Sequence, residues 1–275
     1  MIRENDIVAL NKEFPRTSWD AGFIPDKNEL LKLTPPYLAD KEKTILDKGE
    51  LIALKHPLPG VVIRYSLDGI VPDTVNGKAY TTPFLPASGL VRVVAVATRD
   101  GWISSNKSDN TFFIKGKKCD SVKLINPTHN RYKGLGAVAL TDLKKGFAEN
   151  QDNLYSNWLG FREINFKTGF YFNGESEISE IVISTADMTR GYVMPPQKII
   201  IKAGDTPEKL KLIGQLTPEQ PSEYRGNSNI PYSMKVAPGK YRYIEIEAIP
   251  VQKLPKWHTG KGEKGWVFVD EVFFY

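Results

Sequence analysis

Trp257 and His258 stand side by side in a loop, Leu254–Gly265, that is otherwise rich in Pro, Gly and Lys. A large indole next to an imidazole is costly in a solvent loop and implies a task. Sugar rings present patches of C–H that stack on flat aromatic faces. Their hydroxyls are read by imidazole, amide, carboxylate or guanidinium groups aimed into the same pocket. Pro255 stiffens the part of the loop that carries the indole. Trp257 could therefore stack one sugar face while His258 bonds a hydroxyl. Two further groups fit the same chemistry: Tyr155, Trp158 and Arg162, and then Asp187, Arg190 and Tyr192. Plainer readings compete. Trp158, in NLYSNWLGF, can plug the end of a β-sandwich, and Trp266, at a strand start, can be core. Tyr192 is open either way, and Trp257 is the indole expected to be exposed.

Other chemistry finds less support. Asp270–Glu271 are adjacent carboxylates, which a regular strand turns to opposite faces. Paired acid–base work on a glycosidic bond needs two carboxyls flanking that bond, so no catalytic residue is assigned. Gly134–Ala139 fits a dinucleotide fingerprint in form. Polar residues precede it and no long helix follows, and the motif counts only between a strand and a helix. His56, His129 and His258 lack metal-ligand spacing. Cys119 is the single cysteine, so neither an internal disulfide nor a CxxC knuckle can form. It sits in a polar stretch.

The elements that must position these groups read as β throughout. The chain has 275 residues, enough for two domains, and its 22 Gly and 19 Pro suit a turn-rich all-β protein. Net charge is +5, with Lys dispersed and small clusters at Lys115–Lys118 and Lys253–Lys264. Dispersed Lys favours a solvated surface over a nucleic-acid patch. No run of about 18 apolar residues suggests a membrane span. MIRENDIVALNKEF has no signal-peptide core, so an exported protein would be a piece of a longer precursor. Residues 1–34 read as the tail of an upstream domain or a strap. Strand candidates follow at Leu51–Leu54, Val61–Leu67, Leu90–Thr98 and Asn110–Ile114, with turns such as Asp68–Gly69 between them. KGKKCDSVK reads as a linker. Further strands are expected at Gly169–Phe172, Ile178–Ser184, Lys198–Lys202, Tyr232–Val236, Tyr241–Ile249 and Trp266–Tyr275. The last carries an irregularity at Asp270–Glu271.

Several stretches resemble known families. YRYIEIEA, LPKWH and GWVFVDEV, together with FNGESEISEIVIST and PPQKIIIK, are similar to discoidin-like (coagulation factor V/VIII type C) domains. The closest likeness is to those at the C-terminus of bacterial family 20 β-hexosaminidases. Tyr65-Ser66-Leu67-Asp68-Gly69-Ile70-Val71-Pro72 and VRVVAVATRDGWISS resemble the chitobiase C-terminal, fibronectin-III-associated module. The resemblance implies an immunoglobulin-like sandwich at 35–116, a linker at 117–123 and a discoidin-like jelly-roll β-sandwich at 124–275. It implies a non-catalytic carbohydrate-binding region of a secreted, periplasmic or surface glycan-processing protein, taking N-acetylhexosamine or galactose-type glycans. A monomer with an upstream catalytic domain is expected, with no nucleic-acid partner. Many such domains hold a structural Ca²⁺. By resemblance its ligands here would be Asp142 and Asp152 of the 140–157 loop and Glu271 of the last strand. A structural or protein-interaction module without sugar binding stays open, as does part of a β-hexosaminidase whose catalytic domain lies elsewhere.

Overall fold

The computed structural model describes residues 31–40, 43–73, 75–87, 89–148 and 157–275. The chain divides into two compact units, Met1–Ile114 and Lys115–Tyr275. Both are all-β sandwiches, as the strand pattern predicts.

In the first unit, β1 (Tyr37–Leu38) pairs with β3 (Leu54–Lys55). A five-stranded sheet runs β2 (Ile45–Leu46), β7 (Ser108–Ile114), β6 (Leu90–Thr98), β4 (Val62–Ser66), β5 (Lys78–Ala79). Leu38 and Leu54 meet Leu46, Ile63, Val93, Ala95 and Phe112 in one core between the two sheets. Asp68 is turn chemistry: its Oδ1 accepts the Ile70 N–H at 3.0 Å, and Gly69 takes a positive φ of 83°. Residues 31–33 belong to this unit. Leu33 is buried, and its N–H donates to the Ile103 carbonyl.

The second unit is one seven-stranded sheet folded on itself. Its order is β12 (Lys211–Leu216), β11 (Lys198–Gly204), β13 (Ser228–Ile249), β10 (Phe166–Asp187), β14 (Val267–Phe274), β9 (Leu159–Phe161), with β8 (Ser121–Leu124) also on β10. β10 and β13 are each 22 residues long and pair along their whole length. Their register breaks between Tyr171 and Ser176 and again between Ile178 and Glu180. Such breaks bend a strand pair. Here they let two strands serve both layers around a core of Phe161, Phe166, Phe170, Ile181, Ile201 and Ile246. The stretch read as a linker belongs to this unit. β8 pairs with β10, and Cys119 is buried in the core, where burial raises its thiol pKa.

The expected irregularity is present in β14, and it changes one expectation about its acids. Ser184 pairs with Glu271 but Thr185 pairs with Val269, so Asp270 is an extra residue, a β-bulge. The regular alternation therefore fails there, and Asp270 and Glu271 are both fully buried rather than on opposite faces. Among the described residues no helix is long and apolar enough to cross a membrane.

Candidate functional site

Strand ends and loops gather most of the nominated residues at one end of the second unit. The chain leaves β10 at Asp187 and turns through Thr189–Gly191 to Tyr192, which takes a left-handed φ of 67°. Val193 then bridges to Trp266 at the mouth of β14. The Leu254–Gly265 loop closes over this turn. It is a compact hydrogen-bonded structure: Leu254 N–H donates to Glu263 O at 2.7 Å, Gly262 N–H to Leu254 O at 3.0 Å and Gly265 N–H to Val251 O at 2.8 Å. Gly260 is required where it stands, because a Cβ there would run into the Tyr192 ring. This backbone ladder fixes a loop that is rich in Gly and Lys.

His258 is the pin of the loop and does not read a ligand. It is 2% exposed. Its Nδ1 accepts the Gly260 N–H at 2.9 Å, so Nε2 carries the proton and donates to Thr189 O at 2.7 Å. Both ring nitrogens are thus spent on backbone groups, and the expected hydroxyl contact is lost. Trp158 is likewise fully buried, packed beside Ala148, Met188 and Phe268, with Gly146 against its indole. It plugs the sandwich and cannot stack on a sugar. Tyr155 lies outside the described residues.

The rings that do reach the surface form a band. Trp257 is half-buried on Met194, Val251 and Leu254. It meets Tyr224 edge-on at 5.1 Å. The Tyr224 hydroxyl accepts the Thr259 N–H at 2.8 Å and contacts Thr259 Oγ1, which holds the 219–227 loop to the Trp257 loop. The Arg190 guanidinium lies over the Tyr224 ring at 5.0 Å. On the other side, Arg162 lies over Tyr192 at 5.8 Å and over Trp266 at 5.6 Å. Its Nε donates to Lys264 O and its Nη2 pairs with Glu263 at 2.8 Å. Arg162 is therefore a clasp between β9 and the loop. Trp266 is half-buried, not core, and meets Tyr132 and His129 edge-on at 5.1 and 4.9 Å. Tyr224, Arg225, Tyr132 and the surface role of Trp266 escaped sequence reading. The one available signal was an aromatic and a basic residue side by side in the turn-forming stretch Glu223–Asn227.

Asp187 sits beneath this band. It is fully buried, and neither carboxylate oxygen has a hydrogen-bond partner among the described residues. Its nearest cation is Arg225 Nη1 at 4.0 Å. Burial pushes the carboxyl up to about 6, with Arg225 pulling the other way.

The carboxylates expected to hold a metal lie elsewhere on β14. Asp270 pairs with Lys145 Nζ at 2.5 Å and accepts the Gly146 N–H at 2.8 Å, and Lys145 also contacts Ser184 Oγ. Glu271 Oε1 accepts the Lys144 N–H at 2.9 Å, while Oε2 is buried without a partner. Burial drives the Glu271 carboxyl far above the ordinary range. Asp270 adds to this, and so does a hydrogen bond with Asp142. Asp142 and Glu271 thus fit an oxygen-seeking cation: two acids share one place, with an orphaned oxygen. Asp270 does not, because Lys145 already neutralises it. Asp152 lies outside the described residues, among which no group of three or more His, Cys, Asp or Glu converges.

No family model and no curated protein matches the chain. Solved structures with a similar arrangement include the family 32 carbohydrate-binding module of AlyQ, in complex with 4,5-unsaturated mannuronic acid. It is 13% identical, covers 57% of this chain and 95% of that one, and has a TM-score of 0.35. CpGH89CBM32-5 from Clostridium perfringens, in complex with GalNAc-β-1,3-galactose, is 12% identical with a TM-score of 0.38, over 56% of this chain and 94% of that one. The family 32 module of C. perfringens NanJ, in complex with galactose, is 14% identical with a TM-score of 0.36, over 56% and 91%. Likeness at this level carries no ligand across to this chain.

Proposed function

We propose that the second unit is a non-catalytic carbohydrate-binding module that takes N-acetylhexosamine or galactose-type glycans. It would serve as an appendage of a secreted or surface glycan-processing protein. The observation that carries this reading is the band Arg190–Tyr224–Trp257 and Tyr192–Arg162–Trp266 at one end of the sandwich. Its rings are held by backbone and guanidinium contacts, so little side-chain entropy remains to be lost on binding. Trp257 supplies the stacking face, and Tyr224 and Tyr192 flank it. The buried acids of β14 are sealed away from this band and take no part in it.

Asp142 and Glu271 would hold a structural Ca²⁺, which would tie the 140–148 segment to the last strand. Binding at a hundredfold excess over Kd would add about 2.7 kcal/mol to folding. The second unit is then expected to melt lower in chelator than in Ca²⁺; identical melts would discard the ion. The binding reading itself is tested by a glycan array probed with the intact chain. Bound hexosamine or galactose glycans are expected, and a blank array would contradict the reading.

A further inference from the structure

The band differs from the rest of the surface in its charge. Arg162 is matched by Glu263, and Lys264 by Glu163 at 2.8 Å. The other cations around Trp257 have no such match. Arg190 is exposed and touches only the Tyr224 ring among the described residues. The Arg225 side chain is 44% exposed, and its one acidic neighbour is the buried Asp187 at 4.0 Å. Lys253, Lys256 and Lys261 are exposed on the Trp257 loop, with no carboxylate partner among the described residues. Glu219 and Glu223 are the carboxylates of the facing loop, so cations outnumber acids here. A neutral sugar gains nothing from that excess. Cations with no close carboxylate partner, beside stacking rings, keep most of their donors for the ligand.

We infer that the glycan bound at this end is acidic, a hexosamine chain carrying uronate or sulfate groups. Arg190 and Arg225 read the charge, and Trp257 stacks the ring. This inference rests on the carbohydrate-binding reading above and adds the class of ligand. Arg190 lies over the Tyr224 ring at 5.0 Å and Arg225 is next in sequence to that tyrosine, so two guanidinium groups stand on or beside one residue of the band. Planar guanidinium groups suit carboxylate and sulfate oxygens better than the point charge of Lys.

The test uses the intact chain in calorimetric titration with three probes at one ionic strength. They are chondroitin sulfate, the same chain desulfated and carboxyl-reduced, and single-stranded DNA. Chondroitin sulfate is expected to bind at least about tenfold tighter than its neutral counterpart, one tenfold step being about 1.4 kcal/mol. R190Q and R225Q should each erase most of that preference, lowering the affinity for chondroitin sulfate far more than that for the neutral chain. Equal affinity for the two chondroitin chains would overturn the acidic ligand and leave the carbohydrate-binding reading standing. So would Arg variants that lose both equally. DNA bound as tightly as chondroitin sulfate, with the same sensitivity to both variants, would overturn it in favour of general polyanion binding. Failure to bind either chondroitin chain, in a protein whose melt is normal, would overturn the acidic hexosamine ligand, while the glycan array decides separately on the carbohydrate-binding reading.

Discussion

Asp187 and Asp270 are both fully buried, one at the end of β10 and one in the bulge of the neighbouring β14. Asp270 has a buried ammonium at 2.5 Å and a backbone N–H at 2.8 Å. Asp187 has no hydrogen bond among the described residues, and only an exposed guanidinium at 4.0 Å. The charge of the first is compensated inside the protein, although its Oδ1 has no hydrogen bond among the described residues, and it reads as architecture. The second is left under strain beneath a surface of rings and arginines. A buried charge without a close partner is expensive, and this one lies beneath the band proposed to bind sugar.

The contrast can be broken by mutation. Lys145→Ala should be the most damaging single change. It leaves the Asp270 carboxylate buried without its counter-charge, a loss of about 3–5 kcal/mol. Chemical denaturation would read it as a large fall in midpoint, and Lys145→Ala with Asp270→Asn should recover part of it. Equal stability of Lys145→Ala and wild type would show that the pair is not a structural element.

His258→Ala removes the acceptor for Gly260 N–H and the donor to Thr189 O. It should cost about 2 kcal/mol, because a buried backbone group is left unpaired on each side. A melting curve on the purified variant checks this. An unchanged melt would return His258 to the list of groups free to bind sugar.

Asp187→Asn should act in the opposite sense. The carboxyl pKa is raised by burial from 3.8 to about 6, so the folded state favours the proton. Ionised Asp187 therefore costs stability above about pH 6, and that cost fades as pH falls towards the unfolded value near 4. Asn is expected to gain up to about 2 kcal/mol at pH 7 and nothing at pH 4. A gain that does not depend on pH would mean that charge is not the reason.

Much of this fold is legible in sequence, and the reasons are local. Leu90–Thr98 reads as a strand between turns, and β6 spans those residues. The irregularity at Asp270–Glu271 was also visible. Its consequence was not, because a bulge is defined by the partner strand, here Ser184 and Thr185. The site was half legible. Trp257, Tyr192 and Arg162 stand out as costly loop residues, and they do come together. Arg190, nominated beside Tyr192, joins them over the Tyr224 ring, whereas Tyr224 and Arg225 arrive from another loop with no period to mark them. The fate of His258 was hidden for a different reason. Its partner is a carbonyl 69 residues away, and no residue type announces a carbonyl.

Trp257 carries the central claim. The ring is half-buried on a small satellite cluster, so Trp257→Ala should cost about 1 kcal/mol or less of stability, well below a full core deletion. Titration of wild type and Trp257→Ala with the best glycan found on the array, paired with a melt of each, is the direct measurement. Loss of binding beyond about tenfold in a variant that melts within a few degrees of wild type is the expected result. Binding that survives in Trp257→Ala at full strength would contradict the account and move the site away from this end of the sandwich.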